Sequence, residues 1–140
     1  MKKKTKKKNW KKEAWKWFSI FIRLKYANFF GRLKCYTCNE VHYWKKDGMQ
    51  AGHFQGGRGN SVLLDEEQVR PQCYACNCGR GGEQYIFGKN LEKEYGFEKV
   101  EEFKKRRGKT LKVSEKEWEE KASYYQAEAV KIAVKKGLEI

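Results

Sequence analysis

Apolar residues recur at helical spacing in two long stretches, one near each end of the chain. In the first stretch, which Asn9 can cap, they are Trp10, Ala14, Trp17 or Phe18, Phe21 and Leu24. The second stretch opens with a capping box formed by Ser114 and Glu117. Its apolar members are Trp118, Ala122, Tyr125, Ala129 and Ile132. Both patterns predict amphipathic helices, and the second stripe is typical of a protein core or of a surface for a partner helix.

The region between these stretches changes character. Residues 83–95 and 98–107 have helical patterns, with Gly96 as a cap between them. Cys76 and Asn77 are expected to open the first of these helices. Residues 35–77 contain short strand-like and loop segments. These are a strand over 41–44, a turn at 46–48, a strand over 49–54 that returns onto the first, and a flexible loop over 55–60.

These patterns predict an α+β protein in which helices flank a small core of strands and loops. We divide the chain into four segments. They are a basic disordered tail (1–8), a basic amphipathic helix (9–34), a core around the cysteines (35–97) and a helical C-terminal region (98–140).

The net charge of +14 is concentrated at the N-terminus, and this narrows the expected partners. Residues 1–34 hold thirteen Lys and Arg against Glu13 alone, whereas residues 35–97 are close to neutral. Lysines that neutralise phosphates release counterions, so this segment predicts a nucleic acid, or less strongly an acidic membrane surface. A solvated tail that only aids solubility is the alternative. The cations of the first helix that fall largely outside the apolar stripe are Lys11, Lys12, Lys16 and Arg23.

The apolar run at residues 18–22 does not indicate a membrane protein. It is far shorter than the roughly 20 apolar residues that a bilayer span needs, and Arg23 and Lys25 end it. No small-residue cleavage site follows, so the run is not a signal peptide either. We expect a soluble intracellular protein with no membrane partner.

Four of the five cysteines form two C-x2-C pairs, Cys35 with Cys38 and Cys73 with Cys76. In a reducing compartment such pairs favour metal over disulfides. Each pair places two thiolates on one tight turn, and two pairs complete the tetrahedral sulfur set of a structural zinc. The metal would join the ends of a 34-residue insertion. Cys78 is left over, as a small residue that could compete as a ligand.

Two residues near these pairs indicate chemistry that a zinc scaffold does not need. His53 lies between Gly52 and a glycine-rich loop, and a neutral imidazole can take a proton from water. Asn77 offers an oxygen that suits Mg²⁺ or Mn²⁺ better than zinc, and such a cation stabilises the leaving oxygen of a scissile phosphate. Arg58 has the planar fork that matches phosphate oxygens. A structural role for His53 is the simpler alternative.

The order C-x2-C, G-H-F, C-x2-C-N resembles the zinc-containing branch of the HNH (ββα-metal, His-Me finger) nucleases. The longer words "AWKWFSIFIRLKYA", "GRLKCYTCNEVHYWKK", "AGHF", "DEEQVRPQCYACN" and "GGEQYIFGKNLEKEYG" are similar to the phage NinG recombination proteins, the Rap group. This similarity covers about residues 14–96. It implies a zinc-containing HNH-like core, a bacteriophage protein in the cytoplasm of the bacterial host cell, and a link to Holliday junctions and other branched DNA.

The resemblance also implies roles for single residues. His53 would be the general base that activates water, and Asn77 would be a ligand of the catalytic Mg²⁺ or Mn²⁺. The middle Asn of HNH enzymes, which orients the histidine, corresponds to Gln68 in this chain. A longer amide could do the same task.

One position departs from the family pattern. Many HNH enzymes carry an Asp immediately before the histidine as the second metal ligand, and this chain has Gly52 there. NinG-like sequences often read "DAGHF", whereas this one reads "QAGHF". A carboxylate must therefore come from elsewhere, with Asp65 as the first candidate and Glu83 as the second.

Three functions are consistent with the sequence. The first is a metal-dependent DNA endonuclease of the HNH type that acts in phage DNA recombination, on branched, Holliday-junction-like DNA. The second is a non-catalytic, zinc-containing accessory protein that binds nucleic acid. The third is an RNA-binding zinc protein, since basic charge does not separate DNA from RNA. Two-fold resolution of a junction would need two active sites, and the stripe over 118–132 could serve a homodimer.

Overall fold

The computed structural model describes residues 7–45, 48–56 and 58–140, which contain four α-helices and four β-strands. The helices are α1 (Trp10–Tyr26), α2 (Gln84–Tyr95), α3 (Phe97–Arg107) and α4 (Glu115–Lys136). The strands are β1 (Arg32–Lys34), β2 (Val41–Tyr43), β3 (Met49–His53) and β4 (Val69–Cys73). The α+β class is confirmed. Residues 1–6 of the expected tail and residues 46–47 of the expected turn lie outside the described residues.

The two amphipathic helices at the chain ends pack against each other. The Asn9 side chain accepts a hydrogen bond from the first turn of α1, and Ser114 and Glu117 form the expected capping box of α4. Tyr125 of the α4 stripe packs edge-on against Phe18 of α1, with ring centroids 4.8 Å apart. The stripe is therefore core, with Trp118, Ala122, Tyr125 and Ala129 buried, and the homodimer stays a prediction.

The strands form two separate antiparallel hairpins, β1 with β2 and β3 with β4. The prediction that the strand over 49–54 returns onto the strand over 41–44 is wrong. The first C-x2-C pair makes a tight turn, in which the Cys35 backbone N–H donates to Glu40 and its carbonyl accepts from Asn39. This turn directs β2 back onto β1. β3 pairs instead with β4, with His53 opposite Val69, and so brings the second cysteine pair next to the first.

The helices α2 and α3 agree with the prediction to within one residue at each end. They cover a smaller core beside the β3–β4 hairpin. Its buried members are Phe54, Phe87, Leu91, Val100 and Phe103. Cys76 and Asn77 lie in a single π-helical turn, Ala75–Gly79, and the helix proper resumes at Gln84. No helix in the described part of the chain combines the length and apolar character needed to cross a membrane.

Candidate metal centre and nucleic-acid interface

The four cysteines of the two C-x2-C pairs converge between the two hairpins. Their Sγ atoms all lie within 4.8 Å of one another, and those of Cys38 and Cys73 are 3.7 Å apart. Two sulfur ligands of a tetrahedral zinc, each about 2.3 Å from the ion, have a similar separation. The four side chains could therefore hold a structural metal such as zinc. Cys78 is exposed and lies outside this cluster.

Several contacts of the cysteine cluster favour thiolates, whereas burial raises the pKa of Cys38 to about 12 and also raises the pKa of Cys73. Arg80 Nη2 donates to Cys76 Sγ at 3.2 Å, and the Cys76 backbone N–H donates to Cys73 Sγ at 3.4 Å. Burial raises the pKa of the Cys35 thiol, but hydrogen bonds with the Cys73 backbone and with Thr37 lower that pKa to about 6. Because a metal binds the deprotonated sulfur, these contacts suit a bound cation.

His53 ends β3, and its ring is held on two sides. The ring Nε2 lies 2.9 Å from the Leu63 carbonyl oxygen, and the Trp15 ring stacks on the imidazole with centroids 4.8 Å apart. A carbonyl only accepts, so in the neutral ring Nε2 carries the proton and Nδ1 keeps its lone pair. Nδ1 has no hydrogen-bond partner in the described chain.

Burial lowers the pKa of His53, which is only 8% exposed. The hydrogen bond to Leu63 and the charge of Asp65 raise that pKa, and the charge of Arg58 lowers it further. The net shift is downward, so the ring is neutral at neutral pH. A neutral imidazole whose Nδ1 keeps its lone pair is able to accept a proton from water.

Asn77 lies in a group of amide side chains next to β3 and β4. Its Nδ2 donates to Gln50 Oε1 at 2.7 Å. Gln72 is fully buried, and its Nε2 donates to Thr37 Oγ1 at 3.1 Å and to the Gly82 carbonyl at 2.8 Å. Both amide hydrogens of Gln72 are therefore used, and its Oε1 is left buried without a donor.

Gly52 allows two of these amide oxygens to lie near one another. A Cβ atom on residue 52 would overlap Gln72 Oε1 and would lie 3.1 Å from Asn77 Oδ1. Two oxygen acceptors thus border the same small space. Mg²⁺ and Mn²⁺ take oxygen ligands, and Mg²⁺ commonly completes its shell with substrate phosphates. The residues fit such a cation if a bound phosphate supplies the negative charge that the amides lack.

Asp65 and Gln68 are held together, and the structure does not join either to Asn77. Gln68 Nε2 donates to Asp65 Oδ2 at 2.8 Å, and Arg106 of α3 pairs with the same carboxylate oxygen at 3.1 Å. Within the described residues, the four cysteines are the only group of three or more His, Cys, Asp or Glu side chains placed to hold a metal. The Gln68 side chain also does not bond to the His53 ring, whose orienting hydrogen bond goes to a backbone carbonyl.

Most of the expected phosphate-binding cations border two clefts. The first cleft, of about 310 Å³, is bordered by Lys11, Lys12, Arg58 and Trp15. The second, of about 400 Å³, contains Asn77 and is bordered by Arg23, Arg58 and Trp15. Arg58 lies 5.0 Å above the Trp15 ring, so this cation serves both clefts. Lys16 lies apart from them, with its Nζ 5.2 Å from the Trp17 ring centroid.

The His53 ring and Asn77 share no hydrogen bond in the residues that the structure describes. Trp15 provides the connection, because it stacks on His53 and also borders the cleft that contains Asn77. Sequence analysis assigned no role to Trp15, to Leu63 or to Gln72. Trp15 could have been noticed as an aromatic residue outside the apolar stripe, and Gln72 as a polar residue beside a cysteine ligand. Leu63 acts through its carbonyl, which no side-chain pattern reveals.

Comparison with known proteins places the chain in a family. No curated protein and no solved structure matches it. The family described as Bacteriophage Lambda NinG protein matches residues 1–136. This range includes the cysteine cluster, His53, Asn77 and both clefts. The chain therefore belongs to the NinG family, which implies a role related to phage recombination.

Proposed function

We propose that this protein is a divalent-cation-dependent DNA endonuclease of the His-Me finger type that cuts branched DNA during phage recombination. The observation that carries the proposal is the state of His53. Its ring is neutral, its tautomer is set by the Leu63 carbonyl, and its Nδ1 accepts no hydrogen bond from the residues that the structure describes. A ring nitrogen that keeps its lone pair is what a general base requires.

In the proposed reaction, His53 Nδ1 takes a proton from the water that attacks the scissile phosphate. The Leu63 carbonyl then holds the Nε2–H of the resulting imidazolium, in the way that a second group orients a catalytic histidine. General base catalysis of this kind contributes about 10²–10⁴ in rate. Trp15 restricts the ring to one orientation by stacking on it.

The remaining side chains bind the DNA and hold the cation. Asn77 Oδ1 and Gln72 Oε1 are the protein oxygens that would bind Mg²⁺ or Mn²⁺. When bound, that cation stabilises negative charge on the scissile phosphate and on the leaving oxygen. Lys11, Lys12 and Arg58 would hold the backbone phosphates next to the cleft that contains Asn77.

The test compares cleavage of a four-way DNA junction and a sequence-matched linear duplex, in Mg²⁺ or Mn²⁺, by wild type and His53→Ala. His42→Ala is the matched control, because His42 lies on β2 away from both clefts. We expect wild type and His42→Ala to cut the junction, and His53→Ala to bind it without cutting. Absence of cutting by wild type would refute the enzymatic proposal. Cutting that survives His53→Ala would refute the assignment of the base, and equal cutting of both substrates would refute the preference for branches.

A second function is favoured by one observation. No carboxylate borders the cleft that contains Asn77 within the described residues, whereas most magnesium sites include one. This supports a non-catalytic, zinc-containing protein that binds nucleic acid during recombination. The same experiment separates the two functions, because an accessory protein would bind the junction without cutting it. Repeating the binding measurement with a matched RNA duplex tests the RNA alternative.

A further inference from the structure

The turn between α1 and β1 exposes two phenyl rings. Phe30 is 84% exposed and Phe29 is 64% exposed, whereas Phe18 of α1 is fully buried. Exposing apolar rings to water is unfavourable, and a pair of adjacent exposed rings is typical of a binding surface. Neither Phe29 nor Phe30 belongs to the hydrophobic clusters of the described chain.

Hydrogen bonds hold this turn in one conformation. Asn28 Oδ1 accepts from the backbone N–H groups of Phe30 and Arg32, each at 2.9 Å. The Trp44 backbone N–H donates to the Gly31 carbonyl at 2.9 Å. Gly31 supplies the positive φ of +78° that the turn requires. The rings are thus presented by an ordered backbone, which lowers the entropic cost of binding a partner.

The turn adjoins a cleft of about 610 Å³ with cationic walls. Asn28 and Arg32 belong to the turn and also border the cleft. Lys34 of β1 and Tyr26 of α1 border the cleft as well. No Asp or Glu borders it within the described residues. A partner that contacts both the rings and this cleft must therefore combine flat apolar faces with negative charge.

We propose that Phe29, Phe30, Arg32 and Lys34, the diphenylalanine surface, bind unpaired bases of single-stranded DNA. The rings stack on base faces while the two cations contact the phosphates, which is the combination that proteins use for single strands. A duplex offers phosphates but keeps its base faces inside the stack. An apolar protein surface would match the rings but not the positive charge of the adjoining cleft. The inference rests on the proposed function only in naming DNA as the substrate, and it adds which part of branched DNA this surface recognises.

The test measures binding and not cleavage. Fluorescence anisotropy of a labelled oligothymidylate and of a labelled duplex of equal length is recorded without Mg²⁺, for wild type, Phe30→Ala and the double variant Phe29→Ala/Phe30→Ala. Phe97→Ala is the matched control, because Phe97 is also 64% exposed but lies at the start of α3. We expect the affinity of Phe30→Ala for oligothymidylate to fall by about tenfold, and that of the double variant to fall further. Duplex affinity should change by less than about twofold, and Phe97→Ala should resemble wild type for both DNAs.

Three results would overturn the inference. They are an unchanged affinity of the double variant for oligothymidylate, an equal loss for single strand and duplex, and tighter binding of oligouridylate than of oligothymidylate by wild type. Cleavage is a separate readout. If the double variant loses single-strand binding but wild type cuts no DNA, the diphenylalanine surface is supported and the nuclease proposal is refuted. If wild type cuts the junction but the double variant binds single strands as wild type does, the nuclease proposal is supported and the diphenylalanine surface is refuted.

Discussion

At the scale of single residues, the positions of the Gln72 and Asn77 amides depend on Gly52, which has no side chain. Gly52 leaves space into which Gln72 Oε1 extends, close to Asn77 Oδ1. Gln72 is held in place because its Nε2 donates to Thr37 and to Gly82. A carboxylate on residue 52 would collide with this amide. The chain therefore places neutral amide oxygens, and no carboxylate of the described residues, next to residue 52.

Replacing Gly52 with Ala would place a methyl group on the atom Gln72 Oε1. We expect the free energy of unfolding to fall by about 1–3 kcal/mol, the usual effect of overpacking. Urea unfolding of the zinc-loaded protein measures this change. Gly59→Ala is the control, since nothing lies within 4 Å of a Cβ at that position. A Gly52→Ala protein as stable as the control would contradict the close approach of Gln72 to residue 52.

The buried imidazole of His53 predicts a pH dependence of stability. Because burial lowers the pKa of His53 below that of a free imidazole, the unfolded chain binds this proton more readily than the folded chain. The stability associated with the neutral ring is complete above the unfolded pKa and is lost as the pH falls through the folded pKa. We expect the unfolding free energy of wild type to fall relative to that of His53→Gln over this range. Acid also protonates the cysteines, but it does so in both proteins, so their difference reports on His53. A difference that does not vary with pH would contradict the lowered pKa.

At the scale of elements, the cysteine cluster joins two hairpins that share no strand pairing. The β1–β2 hairpin supplies Cys35 and Cys38, while β4 and the turn after it supply Cys73 and Cys76. An isolated two-stranded hairpin is marginally stable at best in water. The sulfurs and whatever they bind are therefore one of the links between the hairpins, beside the hydrogen bond from the Tyr36 backbone N–H to the Pro71 carbonyl.

Removing a ligand from the cysteine cluster should separate the hairpins. We expect Cys35→Ser and Cys73→Ser to retain much less than one zinc per chain, and to lose near-ultraviolet circular dichroism as the packing around the cluster loosens. Atomic absorption and circular dichroism measure the two effects. Cys78→Ser is the matched control, since Cys78 is exposed and outside the cluster. Equal zinc content in all three variants would refute the metal site.

At the scale of the whole molecule, α1 is part of the core and of the cationic surface at the same time. Its apolar face packs on α4 and on the β3–β4 hairpin, and Trp15 reaches from it to His53. Lys12 borders the cleft of about 310 Å³ together with Arg58, whereas Lys16, one helical turn later, does not border it. The helix therefore links the stability of the fold to the orientation of its positive charge.

The placement of these two lysines predicts unequal effects on DNA binding. Lys12→Ala should weaken binding to a DNA duplex, and the slope of the logarithm of affinity against the logarithm of salt concentration should fall in magnitude by about one, the loss of one phosphate contact. Lys16→Ala removes the same charge from the same helix, and we expect it to have the smaller effect. Anisotropy titrations at several salt concentrations measure both. Equal slopes for the two variants would show that net charge, and not the cleft, decides the binding.

The helices could be predicted closely because their signals are local. Asn9, the capping box at Ser114 and the cap at Gly96 each act within a few residues of the helix end they define. The strand partners could not be predicted in the same way, because a short strand carries no mark of the strand it will pair with. The proposed role of Asp65 depended on its neighbours in space, where Arg106 from α3 pairs with it.

The sequence by itself determined the helix positions, the α+β class, the four cysteines of the cluster and the membership in the NinG family. These follow from local spacing and from residue types that keep their chemistry in any fold. Only the tertiary structure decided that the α4 stripe is core, that His53 is held by a backbone carbonyl and a stacked indole, and that Gln72 occupies the space beside Gly52. Each of these depends on atoms far apart in the chain. Burial and hydrogen bonding act between neighbours in space, and the order of residues does not specify those neighbours.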